Sequence, residues 1–313
     1  MSILVTGGTG FLGSRLVKKL LKNEEVIVFA KEEYQELKEK GVKFFLGDMK
    51  NKEDMEKAFP EVDIVYHLAA NLDESDPNMY DDNVIGTRNV VELSKKNRIK
   101  KIIFMGSCGV LGDSGIAKED LPYNPKTKYE KSKAESEKLV RESGITYTII
   151  RSPIMLGPNK IWLKIMEAAK RQYPVIGSGK NHFHLSYVDD VVRLLIVAKE
   201  SKADNQIFHI ATKDTPTYED VYRMICEETG FEMTKKHISV WLIKILSTLH
   251  IASRRIRGKK PSLTMMKSSI HRLIRDRVVS IEKAKEVLDF EPEYDTRTAI
   301  RETVKYFKDR NML

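Results

Sequence analysis

The chain is predicted to fold as an α/β protein, a doubly wound parallel sheet with a smaller, mostly helical C-terminal lobe. Three observations carry this. The apolar run Ile3-Leu4-Val5 leads directly into a glycine-rich turn and then a helical pattern. Up to residue 150, short apolar runs alternate with stretches of helical periodicity, and such alternation builds βαβ units and hence a parallel sheet. From Thr215 onward the pattern is mostly helical.

Ile3 to Val5 has no polar interruption, as in a strand buried on both faces. Thr6 to Gly13 (TGGTGFLG) is the turn, and Ser14 to Leu21 a helix with Leu16, Val17, Leu20 and Leu21 on one side. Val26 to Phe29 is a second strand, Tyr34 to Lys40 a helix, and Val42 to Leu46 a third strand ending at Gly47-Asp48. Lys52 to Phe59 is a helix, and Val62 to Leu68 a fourth strand running into Ala69-Ala70. Tyr80 to Lys96 is a long helix, Lys101 to Met105 a fifth strand, Thr127 to Ser143 a helix and Thr146 to Ile150 a sixth strand. Beyond these, Ile161 to Arg171 and Asp189 to Lys199 read as helices and Gln206 to Ile210 as a last strand. The expected division gives residues 1–155 plus 185–212 to a cofactor-binding sheet domain, and 156–184 plus 213–313 to a substrate lobe.

At 313 residues, with 41% hydrophobic and 32% charged, the chain reads as globular and able to bury a large core. No leader is read before the first strand. Cys108 and Cys226 are far apart and form no CxxC, which suits a reducing cytoplasm and excludes a disulfide framework or a structural zinc site. A net charge of +9 is read as a solvated surface with sites for an anionic cofactor, not as a nucleic-acid interface.

The glycine turn satisfies GxGxxG through Gly8, Gly10 and Gly13, and GxxGxxG through Gly7, Gly10 and Gly13. Between a strand and a helix, such glycines let backbone amides approach a pyrophosphate at a helix N-terminus. Parallel sheets bind ligands beyond the carboxyl ends of their strands, so the other strand ends are candidates too. Asp48 is placed to accept from an adenine amino group, and Leu68, Ala69 and Ala70 leave room for a cofactor. Ser107 ends the fifth strand and Arg151-Ser152-Pro153 the sixth. In YEKSK, Tyr129 and Lys133 stand at i and i+4 on one helix face. A nearby cation lowers a tyrosine pKa toward a range useful for proton transfer. Tyr34 and Lys38 share this spacing; the place of Tyr129 downstream of Ser107 singles it out.

These blocks resemble the extended short-chain dehydrogenases/reductases, the NAD-dependent epimerase/dehydratase group. The resemblance runs through TGGTGFLG (6–13), GD (47–48), HLAA (67–70), NVIGTRN (83–89), SCGVLG (107–112), YEKSK (129–133), RSPIMLGP (151–158) and YVDDVV (187–192). It implies a Rossmann cofactor domain with Ser107, Tyr129 and Lys133 catalytic. The cofactor contacts would be Gly7, Gly10, Phe11, Leu12, Gly13, Lys31, Asp48, Met49, Leu68, Ala69, Ala70, Asn83, Pro153 and Ile154, with Asn83 also near the active site, and Tyr129 and Lys133 shared with catalysis. Ala30 stands where NAD enzymes of this pattern carry an acid and Lys31 where NADP enzymes carry a base, which favours NADP over NAD; Glu32 and Glu33 keep NAD as the alternative.

Phe183 stands near the place of an arginine that nucleotide-sugar enzymes of the family use for the diphosphate. Residues 240–264 resemble the same region of steroid dehydrogenases and dihydroflavonol-type reductases, and also that of sugar epimerases of the hopanoid-associated type. The expected function is therefore an NADP(H)-dependent oxidoreductase acting on a secondary alcohol or ketone of a bulky substrate. The alternative is a nucleotide-sugar epimerase or dehydratase with tightly bound NAD(P). A cofactor-sensing regulator would need no Ser-Tyr-Lys set. Expected partners are a small-molecule substrate and a second copy, docked through the helices near 80–96 and 127–143. The stretch 240–260 reads as a helix covering the substrate pocket, with contact to an anionic membrane surface as the alternative.

Overall fold

The computed structural model describes residues 1–313 except 114 and 257–262; the side chains of 250–252, 254–256 and 263–266 are likewise outside the description. In chain order the first half comprises β1 (Ser2–Thr6), α1 (Gly13–Leu20), β2 (Glu25–Ala30), α2 (Gln35–Lys38), β3 (Lys43–Leu46), α3 (Lys52–Glu56), β4 (Ile64–His67), α4 (Met79–Lys96), β5 (Lys101–Ser107), β6 (Ile116–Ala117), α5 (Lys128–Arg141) and β7 (Thr146–Ser152). There follow β8 (Ile154–Leu156), α6 (Lys160–Lys170), β9 (Val175–Ile176), β10 (Leu185–Tyr187), α7 (Val188–Val197), β11 (Gln206–His209), α8 (Tyr218–Thr229) and β12 (His237–Ile238). The chain continues through α9 (Val240–Ile256), α10 (Leu263–Ile274), β13 (Val278–Val279), α11 (Glu282–Leu288) and α12 (Thr296–Lys308).

β1 shows why the sheet is doubly wound. Its side chains alternate between the two faces. Ile3 and Val5 pack with Leu16, Val17 and Leu20 of α1 and Val191 and Leu194 of α7, whereas Leu4 packs with Met55, Phe59, Val90 and Leu93 on the opposite side. A strand covered on both faces by helices must be apolar throughout, and this one is. Seven parallel strands result, in the order β11-β7-β5-β4-β1-β2-β3. The strand order reverses at β1, between β2 and β4, and there the carboxyl ends open a crevice.

The smaller lobe gathers around a separate cluster that includes Leu156, Trp162, Met166, Val221, Ile225, Ile300 and Phe307. Three two-stranded parallel pairs tie its segments together, β8 to β10, β9 to β12 and β6 to β13. At two or three residues each, most escaped the sequence reading. One part of the expected 213–313 lobe lies elsewhere: Ala284, Leu288 and Phe290, in and just after α11, pack with Phe208 and Leu194 on the sheet side. α9 runs beyond the apolar stretch into Arg254-Arg255-Ile256, and residues 257–260 of the expected membrane segment lie outside the described residues.

Candidate active site

One cavity of about 950 Å³ opens at the strand ends and runs from the glycine loop, past Ser107, Tyr129 and Lys133, to Arg272, Arg275 and Arg277. Every site residue expected from the sequence lines it. The glycines divide their labour. Gly7, Gly10 and Gly13 face the cavity, whereas a Cβ on Gly8 would meet Val28 Cγ2 at 2.7 Å, so Gly8 serves strand–loop packing. Gly7 has φ +73°, and a Cβ there would stand 2.7 Å from the Ala69 amide nitrogen. A Cβ on Gly13 would collide with the Gly7 carbonyl oxygen. The Gly10 amide donates to that same oxygen at 3.0 Å. No side chain caps α1; the Ser14 amide donates to the Gly10 carbonyl at 2.9 Å, and the helix N-terminus beside it favours an anion. This cradle fits a dinucleotide pyrophosphate.

At the far end of β2 and β3 the structure joins two residues expected to act separately. Lys31 Nζ lies 3.1 Å from Asp48 Oδ2, with the lysine 72% exposed. The Lys50 amide, more than Lys31, holds the Asp48 carboxyl below its ordinary range. Asn83, expected among the cofactor contacts, is committed to the protein. Its Oδ1 accepts from the Asn71 amide at 2.6 Å, and its Nδ2 donates to Asn71 O and Ser132 Oγ, both at 3.0 Å. It fixes the loop after β4 against α4 and α5, and no amide hydrogen is left for a ligand. Its place beside the cavity is as expected, but its amide is a positioning group.

Ser107 ends β5, in register with Ser152 of β7, and its Oγ accepts from the Gly109 amide at 3.1 Å. That bond leaves the hydroxyl hydrogen free to donate. Tyr129 and Lys133 project from α5, whose start is fixed by a reciprocal Thr127–Glu130 capping box. Burial pushes the Tyr129 phenol up to about 12, opposed by the pull of Arg272. Burial likewise pushes Lys133 down to about 7, opposed by Glu137. The expected lowering of Tyr129 by Lys133 is therefore absent, because desolvation dominates and favours the neutral form of both groups. Lys133 Nζ sits 4.1 Å from the Phe104 ring centroid. The rival pair lies on the surface: Tyr34 Oη donates to Glu36 and Lys38 pairs with Glu33.

The low value of Lys133 has a consequence for stability. Between pH 7 and about 10.4 the unfolded chain holds one proton more at this lysine than the folded chain does, so this group makes stability rise with pH. Lys133→Met is expected to flatten that rise in the cofactor-free protein. Urea midpoints at about pH 7 and about pH 10 check it; an unchanged slope would refute it.

The model of the NAD-dependent epimerase/dehydratase family matches residues 3–211. The chain belongs to this family. It is thus an NAD(P)-dependent enzyme. It is 30% identical to the human protein named sterol-4-alpha-carboxylate 3-dehydrogenase, decarboxylating, over 97% of this chain and 87% of that one. It is also 30% identical to a putative UDP-glucose 4-epimerase of Methanocaldococcus jannaschii, over 99% of both chains. The crystal structure of the Thermotoga maritima UDP-glucose 4-epimerase with UDP-glucose superposes with a TM-score of 0.78 at 27% identity, covering 99% of this chain and 100% of that one.

This family member builds the far end of its cavity from residues that sequence reasoning missed. Arg272 pairs with Glu74 after β4 at 2.7 Å. Arg275 donates to Glu130, next to Tyr129, at 2.8 Å. Arg277 donates to the carbonyl oxygens of Cys108 and Gly112, on the loop that Ser107 begins, at 2.6 and 3.1 Å. The one signal for them in the sequence was the cluster itself, three arginines within six residues. His67 is a second omission. Its Nδ1 meets Thr6 Oγ1 at 2.8 Å and its Nε2 meets Thr87 Oγ1 at 2.9 Å, while burial, with Lys133 adding to it, drives it down to about 3 and keeps it neutral. It pins the end of β4 to β1. His184 is likewise structural, its Nδ1 accepting from the Val279 amide at 2.9 Å and its Nε2 facing Thr212 O at 3.1 Å. Phe183 is buried against Tyr218 at the cavity wall.

Proposed function

We propose that the enzyme is an NADP(H)-dependent oxidoreductase that interconverts a secondary alcohol and a ketone on a bulky, largely apolar substrate. The observation that carries this reading is continuity. A single cavity joins the glycine cradle to Ser107, Tyr129 and Lys133 and extends beside Ile154, Met155, Ile161, Trp162 and Phe183. The bound nicotinamide supplies or accepts the hydride. Ser107 Oγ donates to the substrate oxygen and orients it. In reduction the Tyr129 hydroxyl gives its proton to that oxygen, and the phenolate left behind draws a proton back through protonated Lys133. Oxidation runs the same path in reverse. Residues 1–155 and 185–212 hold the cofactor in this reading, and 156–184 with 213–313, apart from α11, shape the substrate side. The reading includes a cytoplasmic location and a homodimer formed through the α4/α5 pair.

NADP preference is assigned to Lys31, which lies at the cavity wall where β2 ends without an acid at Ala30. Its partner Asp48 would release it to a 2′-phosphate, a stronger acceptor. Lys31→Ala is expected to weaken NADP⁺ binding by about tenfold, the worth of a charge-assisted hydrogen bond, and to leave NAD⁺ binding unchanged. Calorimetric titration with both cofactors checks this. Tighter binding of NAD⁺, with no effect of the variant, would end the NADP assignment.

A second reading, nucleotide-sugar epimerase or dehydratase, is favoured by one observation: Arg272, Arg275 and Arg277 place guanidinium groups at the cavity wall, where a diphosphate would find planar donors. A substrate panel followed by NADPH absorbance separates the two. Net NADPH consumption with bulky ketones supports the oxidoreductase. Retained cofactor and sugar interconversion without net redox supports the epimerase.

A further inference from the structure

α9 carries an exposed apolar face that has no partner among the described residues. Trp241, Leu242, Ile245, Leu246 and Leu249 are all exposed, Trp241 at 71% and Leu249 at 61%. Their spacing of i, i+1, i+4, i+5 and i+8 sets them along one side of the helix. Single exposed apolar residues are ordinary, but a contiguous row marks an interaction surface. Covering the substrate pocket does not account for this row. No residue of α9 lines the active cavity among the described residues, and the cavity's far end is closed instead by Arg272 of α10 and by Arg275 and Arg277 beyond it.

Along the sequence, the charge of the stretch that carries this row is one-sided. From Met233 to Arg275 there are eleven Lys and Arg and no Asp or Glu, so this segment carries +11 against +9 for the whole chain. Two of the eleven, Arg272 and Arg275, are ion-paired into the cavity wall. Five others, Arg254, Arg255, Arg257, Lys259 and Lys260, stand together in the sequence directly after the apolar row. A second copy of the chain would bring the same excess of positive charge against it. A negatively charged surface is the complement.

We propose that α9 rests in the plane of an anionic lipid bilayer, its apolar row sunk among the headgroups and acyl ends and the positive charge of its stretch of sequence favouring anionic lipid. Among the described residues no helix is long and apolar enough to cross a membrane, so α9 lies on one leaflet. α10 packs against α9 and carries Arg272 into the cavity wall. Docking thus brings the substrate end of the cavity toward the bilayer. The docking surface stands apart from the catalytic reading and can fail or hold without it.

The chain has two tryptophans, and Trp162 is buried, so Trp241 reports on this surface. Vesicles of phosphatidylcholine with phosphatidylglycerol are expected to shift Trp241 emission to the blue and to sediment the protein, while pure phosphatidylcholine does neither. Each basic residue near an anionic surface is worth about fivefold in affinity, and salt screens that attraction. Binding is therefore expected to fall at least tenfold between about 0.1 and about 0.5 M NaCl. Trp241→Ser with Leu246→Ser and Leu249→Ser, and separately Arg254→Glu with Arg255→Glu, should each weaken binding at least about tenfold. An unchanged Tm and unchanged cofactor affinity would show that the variants remain folded. The proposal is overturned if anionic vesicles do not bind the protein, if neutral vesicles bind it equally, or if the folded variants bind like the parent. It is also overturned if sedimentation velocity shows the row buried in a dimer that Leu246→Ser disperses.

Discussion

Tyr129→Phe is expected to lower kcat by about 10²- to 10⁴-fold, the range of a lost general acid–base, while leaving cofactor affinity nearly unchanged. The substitution removes one oxygen and keeps the ring that fills the cavity wall. The direction of the reaction decides how the wild type responds to pH. With the phenol at about 12, the proton that reduction needs is in place at every working pH. Lys133, at about 7, is the group whose proton is lost first. Reduction is therefore expected to slow as pH rises through about 7, because the phenolate left after proton donation finds a neutral lysine beside it. Oxidation, which must start from an ionised phenol, should gain with pH. Single-turnover NADPH absorbance across pH, for the parent and for Tyr129→Phe, tests both statements. A Tyr129→Phe enzyme with full activity would remove the tyrosine from the mechanism and revive a cofactor-sensing role.

The parts legible in the sequence were those fixed by neighbours in the chain. The run Ile3-Leu4-Val5 had to be a two-sided strand, because Ile3 and Val5 are buried by one helical layer and Leu4 by the other. That Gly7, Asp48, Ser107 and Pro153 share one cavity wall was readable because a parallel sheet sends every carboxyl end to one edge. What escaped depends on contacts across the chain. Arg272, Arg275 and Arg277 reach the cavity because β13 pairs with β6 over only Val278–Ile116 and Val279–Ala117, a signal too short for periodicity to detect. The i, i+4 spacing of Tyr129 and Lys133 suggested a cation acting on a phenol. Burial, which spacing cannot report, makes desolvation the larger effect on both. Asn83 was legible by location alone, since only the fold shows that Asn71 and Ser132 take up its amide hydrogens.

Arg151→Met is expected to destabilise the protein by about 3–5 kcal/mol, the cost of leaving a buried charge without its partner. Arg151 on β7 and Glu137 on α5 are 1% and 0% exposed and meet at 2.6 Å. The guanidinium also donates to the Glu119 carbonyl at 3.1 Å, and Tyr123 Oη donates to Glu137 at 2.8 Å. Methionine in place of Arg151 strands the Glu137 carboxylate in the interior with one phenolic donor. Because removing both charges avoids that penalty, Arg151→Met with Glu137→Met should lie within about 2 kcal/mol of the parent. Denaturant unfolding of the parent, both single variants and the double variant gives the coupling directly; additive losses would show that the pair is not a unit. The double variant also separates stability from chemistry. Glu137 is the charge that holds Lys133 up against desolvation, so its loss should lower the lysine further even where the fold is restored. The refolded double variant is then expected to lose its reducing activity at lower pH than the parent, and a pH profile superimposable on the parent's would confine the buried pair to a structural role.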